Sequence, residues 1–306
     1  MSLSHNLVVL GNSGLLGSAV VRCVQKNAGS RASRFDLVQV DTRALLAEVE
    51  AGDHSKIDQI LSIPGAGQSW LYCAGDVNPH SEASKLKRLN CTLPYKLYRV
   101  LEERSARRSN PVSGPVRFVT FGSVMEERAR KVRTNSYISS KADLYEHFNQ
   151  PAHRPHVAWT HFRLHTLYGG KAPHDHMFLG QMAQALKNRE TFAMSGGQQV
   201  REYHHADDIA ATVLDKLSTP QGARSLITLG NDQPLTLLEI ATAVFRRFNR
   251  QGQLSIGVQE TPAGEQFVTE RERVLKTVTH ERDAIAGIID WFESLGVVQP
   301  DDSLLQ

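Results

Sequence analysis

The sequence predicts an α/β protein built on a doubly wound parallel sheet, with a smaller, partly interleaved domain towards its C-terminal end. Three observations carry that reading. A short apolar strand, Asn6-Leu-Val-Val-Leu10, runs straight into Gly11-Asn-Ser-Gly14-Leu-Leu-Gly17 and then into an amphipathic helix from Ser18 to Asn27, which is how a βαβ unit of the Rossmann type opens. Apolar runs of strand length then alternate with amphipathic stretches of helix length up to about residue 164, and such alternation folds as a parallel sheet with helices on both faces. From His165 the composition changes, because a Gly/Pro/His-rich stretch, Gly169 to His176, interrupts the pattern. The expected division is a dinucleotide-binding domain over 1–164 and a substrate-binding domain over 165–306, with some of its segments returning to the sheet.

Each element has a local reason. Gly11 allows a tight turn, Gly14 lets the backbone approach a phosphate, and Gly17 lets the helix pack on the strand; Asn12, Ser13, Leu15 and Leu16 complete the loop whose amides would face a pyrophosphate. Phe35 to Val40 is the next strand, ended by Asp41, whose carboxylate can accept hydrogen bonds from ribose hydroxyls. A carboxylate there disfavours a 2′-phosphate and argues for NAD, although Arg31, Arg34 and Arg43 are near enough in sequence to keep NADP possible. Gly52-Asp53 follows a third strand position, so Asp53 either reaches the adenine or caps a helix. Ser69 to Gly75 reads as a buried strand ending in the small pair Ala74-Gly75, where a cofactor would cross the carboxyl edge of the sheet. A long helix from about Glu82 to Arg104 carries Asn90. Val116 to Ser123 is a strand finishing on a serine, Tyr137 to Phe148 is a helix, and Val157 to Leu164 is a further strand.

The chemistry gathers at Asn135-Ser-Tyr-Ile-Ser-Ser-Lys141. One helical turn places Lys141 on the same face as Tyr137, and an ammonium beside a phenol favours the phenolate, drawing a group of pKa about 10 towards acid/base work. Ser123 and Tyr137 would then both stand at the carboxyl edge of the sheet.

With 306 residues and a net charge of +3 the chain gives no reason to invoke nucleic acid or an anionic membrane. Arg128 to Arg133, its densest basic run, reads as a solvated loop. Cys23, Cys73 and Cys91 lack metal-ligand spacing and read as buried thiols of a reducing compartment. No signal-peptide pattern or membrane-length apolar run is present, so the cytoplasm is expected. The histidines at 165, 174, 176, 204 and 205 lack the spacing of known metal motifs. His165 and His204 read instead as pocket-lining or surface residues, and Asp207 and Asp208 as helix-capping residues.

Gly11-x-x-Gly14-x-x-Gly17, Ala74-Gly75, Asn90, Ser123 and Tyr137-x-x-x-Lys141 together resemble the extended short-chain dehydrogenase/reductase superfamily, the NAD-dependent epimerase/dehydratase family. The likeness spans nearly the whole chain. Arg163 to Gly169 resembles the segment lining the family's sugar site, which implies substrate contacts from His165 and Thr166, although Thr166 stands where many relatives have asparagine. Gly196 to Asp208 resembles the segment that places an arginine on the substrate diphosphate, here Arg201; an ion pair with Glu202 is its structural alternative. The resemblance implies that Ser123 polarises a carbonyl, that Tyr137 delivers a proton, and that Lys141 lowers the tyrosine pKa and binds the nicotinamide ribose. Val124 and Met125 replace the acidic pair of the dehydratases, which disfavours dehydration. The expectation is an NAD- or NADP-dependent keto reductase acting on a nucleotide-diphosphate sugar as a homodimer. A sugar epimerase is the close alternative, and a catalytically silent dinucleotide sensor is the alternative from another class.

Overall fold

Strands covered on both faces need near-continuous apolar sequence, and the apolar runs of the first half supply it. A computed structural model describes residues 4–27, 34–108, 114–126, 135–150, 155–219, 222–231, 233–261, 277–279 and 282–297. Arg31, Glu127, Arg128 to Arg133 and Glu281 lie outside the described residues. The elements begin with β1 (His5–Leu10), α1 (Leu15–Asn27), β2 (Phe35–Val38), α2 (Thr42–Ala51), α3 (Ser55–Leu61) and β3 (Gly67–Tyr72). Next come α4 (Ala83–Lys87), α5 (Leu93–Ala106), β4 (Val116–Ser123), α6 (Ser136–Asn149), β5 (Val157–Leu164), β6 (Thr166–Tyr168) and α7 (Phe178–Asn188). The chain continues through β7 (Phe192–Met194), β8 (Val200–Arg201), β9 (Tyr203–His205), α8 (Ala206–Leu217), β10 (Arg224–Leu229) and β11 (Leu235–Thr236). It closes with α9 (Leu237–Arg247), β12 (Leu254–Ile256) and α10 (Ala284–Ser294).

Two units result. The first takes Met1–Leu164 and Ala210–Leu229, the second His165–Ile209 and Gly230–Gln306. Six strands form one sheet in the first unit, in the order β10-β5-β4-β3-β1-β2. Every neighbouring pair is parallel, which is the Rossmann-type sheet expected. Strand order reverses between β1 and β3, so the carboxyl ends of these two strands flank the crevice where doubly wound sheets receive ligands. Leu10, Trp70, Phe118 and Trp159 are among its buried side chains. Buried polar groups on the strands are satisfied, as when Gln68 Nε2 donates to Ile60 O at 2.7 Å. The second unit has its own core, including Phe192, Phe245, Trp291 and Phe292, beside the strand pairs β6-β9, β7-β12 and β8-β11. No described helix is long and apolar enough to cross a membrane.

Two expectations are corrected. The third strand position before Gly52 is helical: Leu45, Leu46 and Val49 are buried on one face of α2, and Gly52 closes the helix in the left-handed conformation with φ 83°. The long helix carrying Asn90 is broken by a π turn over Arg88–Thr92. Pro94 stands at the start of α5, and because proline has no N–H to donate four residues back, the widened turn absorbs the missing bond.

Candidate active site

The glycine turn follows β1 as expected. Gly14 N donates to Gly11 O at 3.0 Å, closing it, and Ser18 N donates to Gly14 O at 2.9 Å as α1 begins. Gly11 has φ 83°, and a Cβ there would lie 2.6 Å from Ala74 N, so the turn sits hard against the chain leaving β3. Asn12, Ser13, Gly14 and Leu15 are exposed, whereas Leu16 and Gly17 are buried beneath them. With no acidic residue in the first turn of α1, this exposed helix N-terminus fits a pyrophosphate. Thr42, which sequence reading passed over, steadies the turn by accepting from Gly11 N at 2.9 Å.

Beyond β2, which stops at Val38, Asp41 caps α2. Its Oδ1 accepts from Arg43 N at 2.9 Å and from Ala44 N at 3.0 Å. Asp53 follows the end of α2, and its Oδ1 accepts from Ser55 N at 2.9 Å, at the first residue of α3, although the cap position itself is taken by His54. Arg34 and Arg43 are exposed.

Ser123 ends β4, and Tyr137 and Lys141 lie in the first turns of α6, whose start is capped by Asn135 Oδ1 accepting from Ile138 N at 2.8 Å. Lys141 Nζ donates to Phe121 O at 2.9 Å. A Cβ on Gly75 would stand 3.4 Å from the same ammonium and 2.6 Å from Asn90 Oδ1, so the absence of a side chain at Gly75 lets these groups converge below the sheet edge. Buried Asn90 uses its amide on the protein. Its Oδ1 accepts from Asp76 N at 2.9 Å, while Nδ2 donates to Asp76 O at 2.8 Å and to Ser140 Oγ at 3.0 Å. Ser140 Oγ in turn donates to Tyr137 O at 2.7 Å. Asn90 thus braces α6 against the loop after Gly75 and is committed to that task rather than to reaching outwards.

The electrostatics differ from the expectation. Burial pushes the Tyr137 phenol up to about 12, and the negative charges of Glu126 and Asp76 push the same way. Lys141 is shifted down, chiefly by burial, with Glu126 and Cys73 opposing. Asp76 is itself held charged: burial raises it, but donors from Asn78 N, Lys85 and Ser81 outweigh that effect. The Tyr137 phenol is therefore shifted upwards, opposite to the direction that the lysine spacing alone suggests.

Glu126 is the residue that sequence reading missed. It is 0% exposed, as is His161 beside it. Its Oε1 accepts from Ser123 N at 2.9 Å, and its Oε2 lies 3.1 Å from His161 Nε2 and 3.4 Å from Arg163 Nε. The available signal was chemical, since His161 and Arg163 are ionisable residues at alternate positions of a strand otherwise built for the core.

In the second unit His165, Thr166 and the strand pair β6-β9 come together around Glu202. Glu202 Oε2 accepts from Asn231 N at 3.0 Å and approaches His204 Nε2 at 3.2 Å and His165 Nε2 at 3.7 Å. Thr166 N donates to Glu202 O at 3.1 Å. Burial drives His165 down to about 4, with Glu202 opposing. Arg201 pairs in register with Leu235, and its Nη1 donates to Val200 O at 2.8 Å. Asp207 and Asp208 occupy the first turn of α8, and Asp208 makes a two-pronged bond with Arg282 at 2.7 and 3.0 Å.

A family model, the NAD dependent epimerase/dehydratase family, matches residues 7–225. The chain belongs to this family. Membership makes it an NAD(P)-dependent enzyme of the extended short-chain dehydrogenase/reductase type, and gives the glycine turn and the Ser, Tyr and Lys set a common setting. No curated protein matches the family member's sequence. Among solved structures it is similar to the UDP-glucose 4-epimerase of Thermotoga maritima, at TM-score 0.67 and 14% identity over 95% of this chain and 98% of that one. It is also similar to RMD from Pseudomonas aeruginosa complexed with NADPH, at TM-score 0.68 and 15% identity over 95% and 99%. A GDP-L-fucose synthetase from Naegleria fowleri aligns at TM-score 0.67 and 15% identity over 96% and 95%. At these identities the likeness is one of fold.

Proposed function

We propose that this enzyme reduces a keto group on a nucleotide-linked sugar, with NAD(H) as the preferred cofactor, acting as a cytoplasmic homodimer. The observation that carries the reading is the convergence of buried Tyr137 and Lys141 on the sheet edge where β4 delivers Ser123, with burial first, and Glu126 and Asp76 after it, raising the Tyr137 phenol. A neutral phenol is the form needed to protonate an alkoxide as it forms. The bound dinucleotide supplies the hydride. Ser123 Oγ donates to the substrate carbonyl, Tyr137 gives its proton to that oxygen, and Lys141 stabilises the phenolate left behind until solvent reprotonates it. Asp41 supports NAD over NADP, because its charge opposes a 2′-phosphate even with its Oδ1 engaged in the α2 cap. Relatives of this fold whose names include UDP-glucose 4-epimerase and GDP-L-fucose synthetase support a nucleotide-linked substrate, for which Arg201 is the candidate diphosphate ligand and His165 and Thr166 are candidate sugar contacts.

Epimerisation by the same residues is the second reading, favoured by the similarity to 4-epimerases. A panel of UDP-, GDP- and dTDP-linked keto sugars with NADH and NADPH, followed by cofactor absorbance, tests the reduction. The matching alcohols, followed by NMR for inverted product without net cofactor change, test the epimerase. Oxidation of cofactor on no keto sugar of the panel would remove the reductase reading, and NADPH preferred over NADH would overturn the role given to Asp41.

A further inference from the structure

Glu126 asks for an explanation because a carboxylate withdrawn completely from water is costly, several kcal/mol even after relaxation, and it stands three residues past the serine. Its surroundings are built around it. Gly122 has no side chain, and a Cβ there would fall within 1.7 Å of Glu126 Oε1 and 2.4 Å of His161 Nε2. That glycine is thus the space the carboxylate fills.

The hydrogen bonds form a chain. Trp159 Nε1 donates to Thr120 Oγ1 at 2.8 Å, and Thr120 Oγ1 lies 2.7 Å from His161 Nδ1. The other ring nitrogen, His161 Nε2, lies 3.1 Å from Glu126 Oε2, so the imidazole links Thr120 to the carboxylate. His161 is fixed in turn by its register opposite Thr120, and Arg163 by its guanidinium lying 4.2 Å over the Tyr145 ring. The chain of hydrogen bonds ends on Glu126, and Glu126 ends on the Ser123 amide.

We propose that Glu126 is a positioning residue of this active site: its buried carboxylate, steered by His161 and Arg163, anchors the Ser123 amide and so sets where the Ser123 hydroxyl stands. The inference rests on the reading of Ser123 and Tyr137 given above. The charge has a second effect at the same place. The titratable and charged groups facing it are His161 and Arg163 from β5 and Tyr137 and Lys141 from α6, with Asp76 also acting on Tyr137. Burial does most to keep the proton on Tyr137, and Glu126 and Asp76 add to it, which matches its use as the acid. A neutral residue closing the same turn would hold Ser123 but not do this.

Glu126→Gln keeps the shape and removes the charge. The expected result is a Tyr137 titration, followed by the ¹³Cζ resonance and assigned with Tyr137→Phe, whose midpoint falls by on the order of one pH unit, in a protein with an unchanged circular dichroism spectrum. With a substrate in hand, kcat should fall about 10- to 100-fold while the dinucleotide Kd stays the same. Glu126→Ala, which removes the acceptor of the Ser123 amide, should cost kcat further, and in a Ser123→Ala background it should lose most of that further effect, because the serine it positions is gone. An unmoved Tyr137 midpoint, or an equal loss of kcat with and without Ser123, overturns the proposal. The titration needs no substrate, so a shifted midpoint in a protein inactive on every keto sugar would sink the reductase reading and leave Glu126 in its place.

Discussion

Replacing Gly17 by alanine tests the nucleotide-binding turn at its tightest contact. A Cβ at Gly17 would lie 2.2 Å from Gly11 O and 2.8 Å from Gly11 C, so about 1.2 Å of movement is needed to reach an ordinary contact of 3.4 Å. Neither side can give that distance cheaply. Gly11 is backed by Ala74 N and Cys73, where its own added Cβ would be at 2.6 Å, and is held by Thr42 Oγ1. Helix α1 is held by buried Leu16, Ala19 and Val20. Overpacking of this kind costs about 1–3 kcal/mol, set against the roughly 1 kcal/mol an alanine gains over glycine inside a helix, leaving a net loss of up to about 2 kcal/mol. Melting should fall by a few degrees, and dinucleotide affinity should fall by at least tenfold because the amides no longer converge. Gly196→Ala is the control, since nothing lies within 4 Å of a Cβ there. Thermal melts and NADH fluorescence titrations on both variants decide the matter. A Gly17→Ala protein that binds NADH and NADPH as the wild type does would refute the claim that this close approach shapes the cofactor site.

Other outcomes follow from the same geometry. Tyr137→Phe should reduce turnover by about 10²–10⁴-fold with dinucleotide affinity unchanged, as read by steady-state kinetics beside direct titration; undiminished turnover would reject Tyr137 as the acid. Arg201→Ala should raise KM for a nucleotide-linked keto sugar far more than for the same sugar without its nucleotide, and equal losses would leave Arg201 a purely structural part of β8. His165 has a folded-state pKa of about 4 against 6.5 unfolded, so between those values the unfolded chain binds the extra proton. The stability this gives is fully present above about pH 6.5 and is lost as pH falls towards 4, by roughly 3 kcal/mol at most. Urea melts at pH 7 and 4.5 should show that loss, and His165→Gln should show less of it; identical slopes for the two proteins would contradict the burial argument.

The parallel sheet was legible because strands such as Leu7 to Leu10 and Trp70 to Tyr72 are apolar enough to be buried on both faces, and because Gly11 follows the first of them directly. The spurious third strand came from reading Gly52-Asp53 as a strand terminus, when Leu45, Leu46 and Val49 already had helical spacing. Ser123, Tyr137 and Lys141 could be picked out as types at fixed spacings. The state of Tyr137 could not, because it depends on Glu126 and Asp76, one after β4 and one after β3, whose nearness is a product of strand order. Glu126 itself was visible only indirectly, through His161 and Arg163 on an apolar strand, since a lone glutamate in sequence carries no sign that a glycine and a histidine have been arranged to bury it. Asn90 could be picked out as one of the motif residues on its helix, but only its three bonds to Asp76 and Ser140 show that it faces inwards.

The widened turn at Arg88–Thr92 holds one residue more than an ordinary helical turn, which makes it the point in this helical stretch where chain length is least strictly specified. Deleting one residue from it would let the backbone close into an ordinary turn, because the bulge already absorbs the roughly 100° and 1.5 Å that a residue adds to a helix, and the buried side of α5, with Leu97 and Leu101, would keep its register. The same deletion made within α5 would turn that side away by about 100°. Single-residue deletions are usually rejected inside helices; at this point the protein already contains the insertion, and its removal is the change the helix can take.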